Sequence, residues 1–206
     1  MNTEGRRNQQ HERRILLSQI FIVLLVSIAY QEMVAPIRDS LHSFGITLGA
    51  TALFLVFLMA TMRIFIGSQL HLMSENLLGM PGKVWFYDFL VIILEAMIMI
   101  FLGGETSVEV SRNSKIGFWG FLTALYILDV LWIVSQWGIG KFARSWERRF
   151  IPWAWAALNI VLIILMVLMR LLAGDIYSNA NLIWLVFINA IAFVVDMFLV
   201  DYYKIL

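Results

Sequence analysis

The chain contains no cysteine. Disulfides, thiol nucleophiles and thiolate metal sites are therefore excluded. Charge is scarce as well: Asp, Glu, Lys and Arg make up 14% of the 206 residues, where a soluble domain carries about a quarter. No P-loop, HExxH, GxSxG elbow or dinucleotide fingerprint occurs, and no serine or threonine stands in a pattern that nominates a nucleophile. Of the three histidines, only His71 has a partner at metal-ligand spacing, Glu75 four residues on. A lone pair of that kind reads more simply as a solvated helix face. The chain is not expected to be an enzyme, and neither a metal nor another cofactor is expected.

What the chain has in abundance is apolar length. Hydrophobic residues make up 61% of it and the mean hydropathy is +0.84. A spanning helix needs about 20 mostly apolar residues, and the sequence supplies such runs repeatedly with short links between them. The expected fold is an all-α, polytopic transmembrane bundle in one membrane domain over 15–204. It follows a basic N-terminal segment, 1–14, and precedes a short tail, 205–206. The approximate spans are 15–35, 44–66, 84–104, 116–137, 153–172 and 180–203. Five spans with one re-entrant or interfacial segment is the alternative segmentation. The first run is too long for the apolar core of a cleaved signal and holds no small-x-small cleavage site, so it is read as a retained helix. Ser68 to Leu78 reads as a helix leaving the membrane along its interface, and the residues from Glu105 to Lys115 as a polar loop.

Positive charge sets the expected orientation. With both termini inside, the cytoplasmic segments hold Arg6, Arg7, Arg13, Arg14, Lys83, Lys141, Arg144, Arg148, Arg149 and Lys204, while the outer loops hold Arg38, Arg112 and Lys115. That asymmetry is a positive-inside bias. It explains the basic segments without nucleic acid, and no nucleic-acid partner is expected. The fourth link mixes Lys141, Arg144, Arg148 and Arg149 with Trp146, a composition suited to anionic lipid headgroups or a cytoplasmic protein partner. A plasma membrane location, such as a bacterial inner membrane, fits this pattern.

Inside the spans sit ionisable residues that lipid does not tolerate without partners. A charge near the centre of a span costs a few kcal/mol or more unless it is paired, neutralised or hydrated. Asp88 and Glu95 lie seven residues apart, close to two turns, and so share a face. Arg63 falls on a stripe of small residues, Gly49, Ala52, Ala60 and Gly67, where helices approach closely. Tyr126, Asp129 and Gln136 cluster on one side of the fourth span. Asn159 and Arg170 share a face of the fifth, and Asn189 and Asp196 occupy the sixth. Four acids then surround one fixed base. One Arg satisfies one or two carboxylates, so the others must be neutral, hydrated or bound to a cation.

The expected arrangement is an Arg63–Asp88 structural ion pair, with Glu95, Asp129, Asp196, Asn159 and Asn189 forming an ion pathway or relay. The corresponding function is a small channel or transporter, oligomeric, moving protons or another cation past the buried acids. Two plainer alternatives stand beside it. The polar groups can act solely as interhelical hydrogen-bond partners, or the protein can be a scaffold, sensor or effector that recruits a partner or anionic lipid through its basic inner face. No span carries an arginine ladder, which excludes a voltage sensor.

Overall fold

The computed structural model describes residues 3–44, 48–73, 82–140 and 150–205. These residues form helices α1 (Thr3–Phe44), α2 (Leu48–Met73), α3 (Gly82–Gly104), α4 (Val108–Asn113), α5 (Gly117–Gly140), α6 (Phe150–Leu172) and α7 (Asn179–Ile205). All but α4 are long and apolar enough to span a membrane, with apolar windows at Gln19–Asp39, Leu48–Ser68, Phe86–Gly104, Gly117–Ser135, Trp153–Leu172 and Asn179–Leu199. Six candidate spans are thus present among the described residues, and the fold is that of an integral membrane helix bundle. The basic link 141–149, which holds Lys141, Arg144, Trp146, Arg148 and Arg149, lies outside the described residues, as does Glu75.

Large apolar side chains cover the outside of the bundle, among them Leu165, Leu168, Leu172, Trp184, Phe187 and Phe198. In water such a surface would drive aggregation; in lipid it is the ordinary outer face of a span.

The helices pack in a closed ring, α1 against α3, α3 against α5, α5 against α6, α6 against α7, α7 against α2 and α2 against α1. Helix α2 also touches α3, α4 and α5 across the centre. Over half of its apolar window is buried, the largest share of the six. The small residues on its stripe explain this placement: Ala52 and Ala60 are buried and bring backbones close without leaving a void.

Three local features depart from the sequence expectations. Helix α1 continues through Pro36 to Phe44 instead of ending near residue 35. Proline removes one backbone hydrogen bond, to the Glu32 carbonyl, yet membrane helices tolerate that loss where neighbouring helices support them. Here α1 is held along α3, most closely at Gly103, where a Cβ would lie 2.5 Å from the Ala29 carbonyl oxygen.

The link after α3 is not simply a loop. It contains α4, whose buried Ser111 is tied to the α6–α7 turn. Arg170 shares its helical face with buried Asn159 but is exposed, as are Leu171 and Leu172 beside it in the last turn of α6.

Candidate functional site

Several of the buried polar residues form one connected layer within the bundle. At the centre is Arg63 of α2, whose guanidinium reaches three other helices. Its Nε donates to Asp196 Oδ2 of α7, its Nη2 donates to Asn159 Oδ1 of α6 at 3.0 Å, and its Cζ lies 5.4 Å from the centre of the Tyr126 ring of α5. Asn159 continues the chain by donating through Nδ2 to Asp129 Oδ2 of α5. The side chains of Arg63 and Asp196 are 3% and 5% exposed, so the pair is desolvated. Such a pair persists where both charges are also held by other hydrogen bonds and close packing. The contact with Tyr126 supplies a cation–π attraction in addition.

Tyr126 and Asn189 form the adjoining pair. The phenol donates to Asn189 Oδ1, and Asn189 Nδ2 donates back to the Leu185 carbonyl of its own helix at 2.8 Å. A buried amide with both ends engaged fixes the rotation of α7 against α5 at little free-energy cost.

The expected Arg63–Asp88 pair is not formed; the partner of Arg63 is Asp196. Register explains the difference. Ser68 Oγ of α2 donates to Glu95 Oε2 of α3 at 3.4 Å, which sets those two residues level. The helices are antiparallel, so Arg63 lies five residues to one side of this level and Asp88 seven to the other. At 1.5 Å per residue, their backbones are separated by about 18 Å along the bundle. Asp88 instead accepts from the Trp132 indole of α5 at 2.9 Å. One turn further toward the same end, Tyr87 and Ser135 bond at 2.6 Å.

Glu95 is the least satisfied of the acids. It is 1% exposed, its Oε2 has only the long bond from Ser68, and its Oε1 has no partner among the described residues. The Asp88–Trp132 bond sets those residues level, and because α3 and α5 are antiparallel, Glu95 and Asp129 lie on the same side of that level, about 6 Å apart along the bundle. Asp129 also differs from Asp196 and Asp88 in being half-buried rather than buried, so it is where the layer meets the surroundings of the chain.

The structure thus brings Arg63, Asp129, Asn159 and Asp196 into one network, joins Asn189 to it through Tyr126, sets Glu95 beside it, and removes Asp88 to a separate pair with Trp132. Sequence reasoning missed two of these participants. The sequence reading takes Ser68 into an interfacial segment, but α2 carries it as a buried residue. Trp132 is not singled out by sequence; its position in mid-span, three residues after Asp129, is the available signal.

No group of three or more His, Cys, Asp or Glu side chains among the described residues is placed to hold a metal ion. A search of family models, curated proteins and solved structures finds no match to this chain.

Proposed function

We propose that this protein is a small multi-pass membrane transporter or channel that moves protons or another cation past the carboxylates of Glu95 and Asp129, in a plasma membrane. The observation that carries this reading is the imbalance at the polar layer. Among the described residues, a single guanidinium is committed to Asp196 and Asn159 with its Nη1 and Asp196 Oδ1 left unpartnered, while Glu95 keeps a buried oxygen with no partner and Asp129 accepts from the neutral Asn159 amide. A purely structural polar layer satisfies its members, because each buried unpaired group costs about 1–3 kcal/mol. Leaving one carboxyl under-bonded beside another is the arrangement expected where a mobile cation visits.

The parts then have distinct roles. Asp196 holds Arg63 in place. Asn159 keeps Asp129 oriented and separated from the guanidinium, so that Asp129 is not neutralised by a direct ion pair. Asp129, half-buried, exchanges cations with the surroundings and Glu95 receives them inside the bundle. Reconstitution into proteoliposomes tests the reading. Cation flux driven by a membrane potential is expected in the wild type and is expected to be lost in Glu95→Gln and strongly reduced in Asp129→Asn. Flux unchanged by both substitutions would refute it.

A further inference from the structure

We infer that the ion this site accepts is the proton and not a metal cation, with the Glu95 carboxyl as the group that binds it. The inference rests on the transport reading above and narrows it.

A dehydrated metal cation must recover several oxygen ligands from the protein. Even a hard divalent ion that keeps part of its water shell takes six or more, and potassium pathways replace the hydration shell with rings of carbonyl oxygens. Around Glu95 the supply falls well short. Its own Oε1 is unpartnered, and Ser68 Oγ stands 3.4 Å from Oε2. Asp196 Oδ1 is also buried without a partner among the described residues, but its carboxylate is paired with the Arg63 guanidinium, and several other oxygens of the layer are engaged. Asp129 Oδ2 accepts from Asn159, Asp196 Oδ2 from Arg63 and Asn189 Oδ1 from Tyr126. The Thr61 hydroxyl donates to the Phe57 carbonyl at 2.8 Å. Helix carbonyls are occupied by their own ladder, so α2, α3 and α5 offer none.

A proton has no such requirement. It forms one covalent O–H bond to a carboxylate oxygen and needs at most one acceptor beyond it. Glu95 provides the oxygen, and protonation removes the charge that burial penalises. The surrounding charged and titratable groups divide into those that favour a proton there and those that do not. Asp129 from α5 favours it by repulsion between carboxylates; Arg63 from α2 opposes it but is drawn off by Asp196 of α7 and Asn159 of α6. Tyr126 from α5 is directed to Asn189, and Asp88 of α3 lies two turns away with Trp132.

The test measures proton and alkali-cation movement side by side in proteoliposomes holding the full chain. Internal pH is followed with a fluorescent dye, and uptake of radioactive sodium and rubidium is followed separately. The expected result is proton flux that is lost in Glu95→Gln and kept in part by Glu95→Asp, with alkali-cation uptake no greater than in empty vesicles. Saturable sodium or rubidium uptake that is lost in Glu95→Gln would overturn the proton assignment while leaving the transport reading intact. Absence of every flux would overturn both.

A second readout does not depend on a folded variant. An apolar carbodiimide reacts with protonated carboxyls inside membranes, and mass spectrometry of the wild-type protein is expected to find the adduct on Glu95, undiminished by sodium or potassium. Protection by either cation, or no adduct on Glu95, would refute the inference.

Discussion

Replacing Arg63 with leucine is the most informative perturbation of stability, because the observed ion pair and the one expected from sequence predict different coupled partners. The substitution strips Asp196 of its ion-pair partner among the described residues and Asn159 of the donor to its carbonyl oxygen. With both charged side chains almost wholly buried, removal of one partner falls in the class that costs about 3–5 kcal/mol, since the surviving charge stays desolvated and uncompensated. Asp196→Leu alone should cost a similar amount for the converse reason. The double variant removes both charges and leaves two apolar side chains in an apolar bundle, so it should lose far less than the sum.

A coupling energy of about 2–3 kcal/mol is therefore expected for Arg63 and Asp196, at the upper end for residues in contact. The parallel cycle of Arg63→Leu with Asp88→Asn should be additive within about 0.5 kcal/mol, the behaviour of sites far apart without shared partners. Reversible unfolding in mixed micelles, titrated with a denaturing detergent and followed by circular dichroism, supplies the free energies of all variants. Additivity of Arg63 with Asp196, or strong coupling of Arg63 with Asp88, would refute the register derived from the Ser68–Glu95 contact.

Three further outcomes follow from packing and hydrogen bonding. Gly103→Ala places a Cβ 2.5 Å from the Ala29 carbonyl oxygen and should destabilise the α1–α3 contact by about 1–3 kcal/mol, whereas Gly104→Ala meets nothing within 4 Å and should be neutral in the same detergent titration. Trp132→Phe keeps the ring's bulk but removes the indole donor to Asp88; a loss of about 1–3 kcal/mol is expected, and no loss would show that bond to be dispensable.

Tyr177, in the turn between α6 and α7, is 2.5 Å from Ser111 Oγ, and burial holds its phenol above the ordinary value of 10.0. The folded form then binds the proton more tightly than the unfolded form. Its contribution is complete below pH 10 and is lost as pH rises through the folded value, so alkaline destabilisation should be smaller in Tyr177→Phe than in the wild type, and equal alkaline slopes would contradict this.

The spans were legible because lipid leaves a coarse signal: twenty apolar residues in a row can do little else. Their ends were less so. Pro36 read as a stop, yet α1 passes through it, because proline's local cost is offset by packing that no single run displays. The polar site was legible as membership and not as pairing. Arg63, Asp129, Asn159, Asn189 and Asp196 stood out as residues that lipid penalises, and the fold gathers all five. Which acid Arg63 meets depends on the relative height of helices, and hydropathy fixes each span only to within a turn or two. Errors of that size in two helices add to the roughly three turns that moved the expected partner from α7 to α3. Ser111 and Tyr177 were invisible for another reason. Their bond joins segments 66 residues apart, and the left-handed Gly117, with φ of +66°, that shapes the turn between them resembles any other glycine in sequence.

The apolar packing beside the polar layer bears on the proposed transport. On the side where α2, α5 and α7 begin, Leu53, Phe57, Leu102, Phe118, Leu122 and Leu182 belong to one large buried cluster. On the other side, among the residues whose side chains are described, Ile22, Val91, Ile92 and Trp132 form a second cluster, with Asp88, Tyr87 and Ser135 beside it. In the orientation that the positive charges predict, the large cluster faces outward. A charge crossing several turns of close-packed leucine and phenylalanine meets a desolvation barrier of the kind that closes hydrophobic gates. On the proposed transport reading, a proton at Glu95 would reach the outer side only if that layer parted. Helix α2 is the element best placed to do that, since it carries Phe57 in that layer, Arg63 in the network and Ser68 against Glu95, and touches α1, α3, α5 and α7 at once. A shift of α2 would open the plug and change the hydrogen bonding of Glu95 in the same movement, which is the coupling that a transporter needs and a static polar layer does not.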